Sequence, residues 1–219
     1  GTTPTTDGAT TINVGAAGFT DAVGNANSAA NEFNWVYDST ALTIAITSST
    51  VSSGATSNDA TIALTFTTSE STTGFTANDV TVSGGSISNF AGSGTGYTAT
   101  LTPSADGLTT TSVNQGAFSD SAGNSNTASN SFQWTYDGTS PTVQITTSAS
   151  NPATGSTIAV TITFSEATTN FASSDVTVGG GSVTAFSGSS STVYVATITP
   201  SADGTVTVSD DGRGIPVDI

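Results

Sequence analysis

The sequence has 219 residues, of which 34% are hydrophobic and only 8% are charged, with 16 acidic residues against a single basic one, Arg213. The formal net charge of −15 repels a phosphate backbone, so we expect no binding to nucleic acid. The sequence contains no cysteine and no histidine, which excludes disulfides, thiol chemistry and the commonest general base. We therefore predict that the protein is not an enzyme.

The same composition bears on location. No stretch reaches the roughly 18 apolar residues that a membrane-spanning helix requires, so we predict no membrane insertion within this chain. The chain opens at Gly1 without a leader sequence, and we expect a fragment or processed product whose export signal and anchor lie elsewhere. Strong acidity suits a medium rich in salt or divalent cations, which screens self-repulsion. These features predict an extracellular or cell-surface protein.

Internal repetition is the strongest pattern along the chain. The segment FTDAVGNANSAANEFNWVYD at 19–38 returns as FSDSAGNSNTASNSFQWTYD at 118–137, which is 99 positions later, and residues 63–107 return at 160–204. Together the repeats define a unit of about 100 residues, the usual size of a seven-strand β-sandwich. The predicted divisions are the C-terminal part of one repeat (1–38), a complete repeat (39–138) and the N-terminal part of a third (139–219).

Short runs of Val, Ile, Phe and Thr between Gly, Ser, Asn and Asp predict β-strands throughout the chain. In FQWTY, residues Phe132, Trp134 and Tyr136 share one face by the two-residue period of a strand, and Trp134 is predicted to lie in the core. We predict an all-β protein. The predicted strands of the complete repeat lie near residues 42–47, 61–67, 79–83, 86–90, 96–102, 109–113 and 131–136.

Five segments carry the most specific pattern of the repeat: TFSEA (163–167), FASSDVTV (171–178), TPSADG (199–204), FSDSAGNSN (118–126) and FQWTYD (132–137). Together they resemble the bacterial immunoglobulin-like repeats that occur in tandem in large secreted adhesins and other surface proteins. The resemblance covers about residues 1–208. It implies immunoglobulin-like β-sandwiches stacked end to end, a structural or adhesive role, and in some cases bound calcium.

The acidic side chains lie at the ends of the predicted strands. Successive antiparallel strands run from pole to pole, so every second loop returns to the same pole of the sandwich. In the complete repeat this places the entry linker, the second-to-third loop and the sixth-to-seventh loop together. The candidate metal ligands at this pole are Asp38, Glu70, Asp79, Asp120 and Asn124, and those at the next junction are Asp137 and Glu166.

These clusters offer only oxygen ligands, with no cation nearby to neutralise them. A hard cation that takes six to eight oxygen ligands at about 2.3–2.6 Å would neutralise the negative charge of these clusters. We therefore predict calcium at the junctions between repeats. The alternative is that Asp and Asn stabilise turns through side-chain hydrogen bonds. A glycosidase acid–base pair is disfavoured because the carboxylates lie in polar loops and recur in every unit, as in a spacer.

The register of the repeat is lost from about Ser209, where the chain reads SDDGRGIPVDI. Residues 210–216 resemble the DDGRGIP motif of gyrase B-type ATPases, which implies that Asp210 would read adenine. That fold also needs a preceding helix with Glu and Asn and a later glycine-rich lid, and the sequence supplies neither. We interpret the motif as non-functional here, and the tail as a junction, a chimeric or frame-shifted sequence, or a mis-assigned stretch.

Two functional hypotheses fit these observations. Near-identical units favour a structural or adhesive spacer or filament, whose partners are neighbouring repeats or identical subunits. In a variant of it, chains join head to tail, and residues 1–38 of one chain supply the strands that 139–219 of another lacks. The alternative is a module that binds surface glycans, with Phe75, Tyr97 and Tyr194 as stacking platforms.

Overall fold

The computed structural model describes residues 3–151 and 153–210. Its regular elements are β-strands, apart from single 3-10 turns at Ala77–Asp79 and Ser173–Asp175, and the all-β prediction is confirmed. No helix in this part of the chain has the length and apolar character needed to cross a membrane. The chain forms two compact units, which divide between Gly138 and Thr139. The three-part division derived from the repeats stays a prediction.

The first compact unit begins with a β-hairpin. Strands β1 (Gly8–Ile12) and β2 (Phe33–Tyr37) pair antiparallel, with Gly8 opposite Tyr37 and Ile12 opposite Phe33. Between them the chain folds back on itself through a bridge that pairs Thr20 with Ala26. This hairpin corresponds in sequence to the last two long strands of the complete repeat.

The complete repeat is a two-sheet sandwich with the strand order of an immunoglobulin domain. One sheet has the order β3-β5-β9-β8, and the other has the order β4-β12-β10-β7, in which β4 runs parallel to β12 and the remaining neighbours are antiparallel. The short strands β6 and β11 pair separately. Its strands are β3 (Ile44–Ser48), β4 (Ala55–Ser57), β5 (Ile62–Thr68), β6 (Thr72–Thr73), β7 (Val80–Ser83), β8 (Gly85–Ser93), β9 (Gly96–Pro103), β10 (Gly107–Val113), β11 (Ser119–Asp120) and β12 (Phe132–Tyr136).

Alternation of side chains along the long strands builds the core between the two sheets. In β5 every second residue is buried, from Ile62 through Leu64 and Phe66 to Thr68, because successive side chains of a strand point to opposite faces. Trp134 of β12 is fully buried, as the sequence predicts. Its indole Nε1 donates a hydrogen bond of 3.0 Å to the Ser57 hydroxyl, so its polar atom is also satisfied.

The second compact unit repeats most of this architecture. A four-stranded sheet has the order β13-β14-β17-β16, and β15 pairs antiparallel with β18. The described residues provide no strand at the other edge of β18. The strands are β13 (Val143–Thr147), β14 (Ile158–Phe164), β15 (Val176–Gly179), β16 (Gly181–Gly188), β17 (Val193–Pro200) and β18 (Thr207–Asp210).

The atypical tail begins within the last of these strands. Asp210 pairs with Val176 through the backbone, so strand pairing continues past Ser209, where the repeat is lost in the sequence. The remainder of the gyrase-like motif, from Asp211 to Pro216, lies outside the described residues.

Candidate metal centre

Three of the predicted ligands meet at one point of the first compact unit. One carboxylate oxygen from each of Asp38, Glu70 and Asp120 lies within 4.8 Å of the other two. The three come from segments far apart in sequence, since Asp38 follows β2, Glu70 follows β5 and Asp120 ends β11. The Asp120 side chain is buried, whereas Asp38 and Glu70 are half-buried. The described residues contain no basic side chain, because the only one in the sequence is Arg213.

A tight turn fixes the Asp120 carboxylate. Its Oδ1 accepts hydrogen bonds from the backbone nitrogens of Ala122, Gly123 and Asn124 at 2.7–2.9 Å, and its Oδ2 accepts one from Asn124 Nδ2 at 2.9 Å. Burial raises the pKa of Asp120, but these hydrogen bonds together outweigh burial and hold the pKa below its ordinary value. Asp120 therefore stays ionised in a defined orientation.

Asn124 ties the linker to this turn. Its side-chain nitrogen donates to the backbone oxygen of Asp38 at 3.2 Å as well as to the Asp120 carboxylate. The Asp38 carboxylate is also held, because its Oδ1 accepts a hydrogen bond of 3.1 Å from the Thr40 nitrogen. Asn124, predicted as a ligand, thus uses its amide nitrogen to bind the Asp120 carboxylate and the backbone of Asp38.

Glu70 differs from its two neighbours in how it is held. Its backbone oxygen accepts a hydrogen bond of 2.8 Å from the Thr68 hydroxyl, but no donor of the described chain reaches its carboxylate. Burial raises the pKa of Glu70 above its ordinary value of 4.5, and the negative charges of Asp38, Asp120 and Asp7 raise it further. Glu70 is the member of the cluster whose charge most lacks a partner.

The other predicted ligands lie elsewhere. The Asp79 carboxylate accepts hydrogen bonds from the Thr76 nitrogen at 2.8 Å and from the Thr76 hydroxyl at 2.9 Å, so it caps a turn and does not join the cluster. Asp137 is exposed directly after β12, and Glu166 is half-buried in the second compact unit. The junction site predicted around Asp137 and Glu166 stays a prediction.

Asp7 was not identified from the sequence, although its negative charge is one of those that raise the pKa of Glu70. Its Oδ1 accepts hydrogen bonds from the Ser39 nitrogen at 2.9 Å and the Ser39 hydroxyl at 2.7 Å, and its Oδ2 accepts one from the Thr40 hydroxyl. These bonds, first those from Thr40 and Ser39 hydroxyls, lower the pKa of Asp7. The repeat contained the signal, because Asp106 occupies the same position and accepts from the Gly138 nitrogen at 2.8 Å.

Two of the three aromatic side chains expected as platforms for glycan binding are buried. Phe75 and Tyr97 are only 6% and 7% exposed and pack edge to face with ring centroids 5.0 Å apart, so their assignment as platforms is wrong. Tyr194 is half-buried and packs in the same way against Phe171 at 5.0 Å. These rings form the cores of their sandwiches because an aromatic side chain buries a large apolar area. Glycan binding by other residues stays untested.

The strand order, the repetition and the carboxylates at the linker define a tandem immunoglobulin-like module. The family model described as bacterial Ig-like domain matches residues 38–136 and again residues 137–213. These two matches cover more than half of the sequence, and the chain belongs to the bacterial Ig-like domain family. A search among curated proteins finds no match. The family resemblance seen in the sequence is confirmed.

Proposed function

We propose that this chain is part of an extracellular array of immunoglobulin-like domains that serves as a structural, adhesion-supporting spacer at the bacterial surface, stiffened by calcium at its junctions. Modules of this family are typically non-enzymatic. The observation that carries the proposal is the convergence of Asp38, Glu70 and Asp120 where the linker enters the complete repeat.

The donor set fits calcium in its chemistry. Calcium binds oxygen ligands at about 2.3–2.6 Å, so two oxygens on one ion lie at most about 5.2 Å apart. The carboxylate oxygens of the cluster lie within 4.8 Å of one another and meet this requirement. Carboxylates alone, without histidine or cysteine, disfavour zinc and copper. Glu70, with a raised pKa and no hydrogen-bond donor on its carboxylate, gains most from a cation.

A cation held by these residues would connect three segments of the chain. Asp38 belongs to the linker, Glu70 to the connection after β5, and Asp120 to the turn after β11. In the absence of the ion, three negative charges resist the approach of these segments. With the ion bound, the linker is fastened to the sandwich, and an array of such junctions becomes a stiffer rod.

The proposed location follows from the same chemistry. Calcium sites of extracellular modules have dissociation constants of about 10⁻⁴–10⁻³ M, which three carboxylates in a partly exposed site can provide. The excess of acidic residues and the lack of cysteine agree with a protein that works outside the cell.

Thermal unfolding with calcium and with chelator tests the proposal. A ligand that binds only the folded state raises the unfolding midpoint, and at 100 times the dissociation constant we expect a rise on the order of 10 °C. Glu70→Gln should remove most of this calcium-dependent rise, because it replaces a charged ligand with a neutral amide.

Glu32→Gln is the matched control. Glu32 is exposed and lies outside the cluster, so this substitution removes the same charge without touching the site. It should keep the full response to calcium. An unchanged midpoint in the wild-type chain, or an equal loss in the two variants, would reject a calcium site at this junction.

A further inference from the structure

A side chain at the start of the β1–β2 hairpin binds the linker that leaves the hairpin. Asp7 stands immediately before β1, and its carboxylate accepts hydrogen bonds from the Ser39 nitrogen at 2.9 Å, the Ser39 hydroxyl at 2.7 Å and the Thr40 hydroxyl. Ser39 and Thr40 follow β2 and begin the connection to the complete repeat. One carboxylate therefore ties the first residues of this linker back to the hairpin.

The same contact recurs one repeat later. Asp106 stands immediately before β10, and its carboxylate accepts a hydrogen bond of 2.8 Å from the nitrogen of Gly138, which follows β12. In both repeats the aspartate and the residue that donates its backbone nitrogen are 32 positions apart. A contact that recurs with the same atoms and the same spacing is a property of the repeat and not of one loop.

A glycine follows each of these aspartates and shapes the turn. Gly8 has a φ of 139° and Gly107 has a φ of 128°, a backbone region that residues with a Cβ rarely adopt. At either position an added Cβ would meet no atom of the described chain within 4 Å, so the backbone conformation and not a lack of space requires glycine. The Asp-Gly pair is thus a local turn that presents a carboxylate to the linker.

The linker after β2 is held from two sides by different means. On the side of the hairpin, three hydrogen bonds end on the Asp7 carboxylate. On the side of the complete repeat, Asn124 donates a hydrogen bond of 3.2 Å to the backbone oxygen of Asp38, and the Asp38 carboxylate belongs to the candidate calcium cluster. The hydrogen bonds on the hairpin side need no metal ion, whereas the clustered carboxylates on the other side repel one another until a cation binds.

We propose that Asp7 is a clasp that fixes this linker to the hairpin whether or not a metal ion is bound, and that Asp106 is the clasp of the next linker. Hydrogen bonds to a charged acceptor are stronger than those between neutral groups, and one carboxylate that accepts three of them restricts both Ser39 and Thr40. These hydrogen bonds, first that from the Thr40 hydroxyl, keep the pKa of Asp7 below its ordinary value, so Asp7 is an ionised acceptor at neutral pH. The clasp goes beyond the proposed calcium site and does not depend on it.

Amide hydrogen exchange of the whole 219-residue chain in chelator, followed by nuclear magnetic resonance, tests the clasp at the donating nitrogen. Asp7→Ala should speed exchange of the Ser39 amide about tenfold or more, because this amide loses a charged acceptor. Asp7→Asn should keep most of the protection, because its side-chain oxygen still accepts the hydrogen bond. Protection of the Ser39 amide that survives in Asp7→Ala overturns the proposal.

The two linkers serve as controls for each other. Asp106→Ala should speed exchange of the Gly138 amide to a similar degree and leave the Ser39 amide unchanged. Asp21→Ala removes the same charge from the hairpin, but the Asp21 carboxylate accepts hydrogen bonds from its own turn, so neither amide should change. If Asp21→Ala speeds exchange of the Ser39 amide as much as Asp7→Ala does, the protection comes from the hairpin as a whole, and the proposal is overturned.

Distances between two spin labels show whether the clasp also limits movement of the linker. The sequence has no cysteine, so labels can be placed by Val36→Cys in β2 and Thr98→Cys in β9, at two exposed positions. In chelator, Asp7→Ala should give a broader distribution of distances than the parent chain, and Asp21→Ala should give the same distribution. Saturating calcium should narrow the distribution of Asp7→Ala without restoring that of the parent chain.

The outcomes of this experiment separate the clasp from the calcium site. Equal distributions for Asp7→Ala and the parent chain, in chelator and in calcium, overturn the clasp and leave the calcium proposal standing. Complete restoration of Asp7→Ala by calcium also overturns the clasp, because the metal would then do the work assigned to Asp7. A broader distribution in Asp7→Ala that calcium does not change supports the clasp and rejects stiffening by calcium.

Discussion

A comparison of strands β2 and β12 shows which features of a β-sandwich are determined by the sequence of a strand and which by the elements around it. Both carry the Phe-x-Trp-x-Tyr pattern, both pair antiparallel with a preceding strand, and both use the same register. In β12 the aromatic face packs against the sheet of β3, β5, β9 and β8, whereas in β2 no such sheet lies within the described residues. The local sequence specifies the hairpin, and only the second sheet makes its aromatic face a core.

The turns that follow β1 and β10 allow the same comparison at the candidate metal centre. Asp21 accepts hydrogen bonds from Val23 and Asn25 much as Asp120 does from its own turn, and hydrogen bonds first from Asn25 lower the pKa of Asp21 as well. Within residues 3–151 and 153–210, Asp21 has no carboxylate neighbours that complete a cluster, whereas Asp120 has Asp38 and Glu70. The turn therefore forms independently of the cluster. The candidate site also needs Asp38 of the linker and Glu70 of the connection after β5.

The largest expected effect is the difference in stability loss between alanine substitutions of the two tryptophans, Trp134 and Trp35. Trp134→Ala should destabilise the complete repeat by about 3–5 kcal/mol, because it leaves a cavity in a closed core. Trp35→Ala should cost less than about 1 kcal/mol in dilute solution, where the hairpin is only partly covered. Calorimetric unfolding of both variants measures the difference. Equal losses would contradict the view that the second sheet supplies the burial.

The next largest effect is the difference in calcium response between asparagine substitutions of Asp120 and Asp21. Asp120→Asn should abolish most of the rise in unfolding midpoint that calcium produces, because the ion loses a fixed, charged ligand. Asp21→Asn changes the equivalent turn outside the cluster and should leave the rise intact. Calcium titration followed by differential scanning calorimetry compares them. A matching loss in both variants would assign the calcium response to the turn and not to the cluster.

A smaller gain is expected at Thr111. Its side chain is fully buried in β10 and its hydroxyl finds no hydrogen-bond partner, while Ile12 and Val208 occupy the same position in the other repeats. Thr111→Val should stabilise the repeat by about 1 kcal/mol, because an unpaired buried hydroxyl is costly. Thr109→Val, which loses a hydrogen bond of 2.8 Å to the Trp134 oxygen, should not stabilise it. Urea unfolding distinguishes the two, and a loss in Thr111→Val would show that its hydroxyl is satisfied.

The smallest effect concerns the charge of Glu70 without calcium. Its pKa is higher in the folded protein than its ordinary value of 4.5, so ionisation disfavours the folded state and its cost grows as pH rises through this range. In chelator at pH 7, Glu70→Gln should therefore raise the unfolding midpoint slightly, and the gain should vanish below pH 4.5. A gain that persists in acid would point to packing and not to charge.

Sequence patterns located the long strands because the two-residue period repeats several times in each. All seven strands predicted for the complete repeat are present, with ends that differ by a few residues. Strands β4, β6 and β11 were missed, since segments of two or three small or polar residues carry no visible period. They form through pairing that the sequence pattern does not show, since β4 lies at the edge of a sheet beside β12, and β6 pairs with β11.

For the candidate metal centre, the sequence was enough to predict which loops lie at the same pole of the sandwich, but not the individual contacts of their side chains. Alternation of loops brought Asp38, Glu70 and Asp120 together correctly, because strand direction alone decides it. The alternation of loops could not show that the Asp79 carboxylate accepts hydrogen bonds from Thr76. Nor could it show that Asp7 lies close enough for its charge to raise the pKa of Glu70. Those outcomes depend on local hydrogen bonds, which compete with a metal for the same oxygens.

The parallel pairing of β4 with β12 determines how the complete repeat would resist a pulling force. The chain enters the repeat on the side of β3 and β4 and leaves it directly after β12. In an array of the proposed kind, tension between neighbouring repeats would pull these two parallel strands in opposite directions along their lengths. The pairs of Trp134 with Ala55, Thr135 with Thr56, and Tyr136 with Ser57 then share the load in shear and do not open one at a time. Such a domain yields under force at the rate at which this patch breaks as a whole.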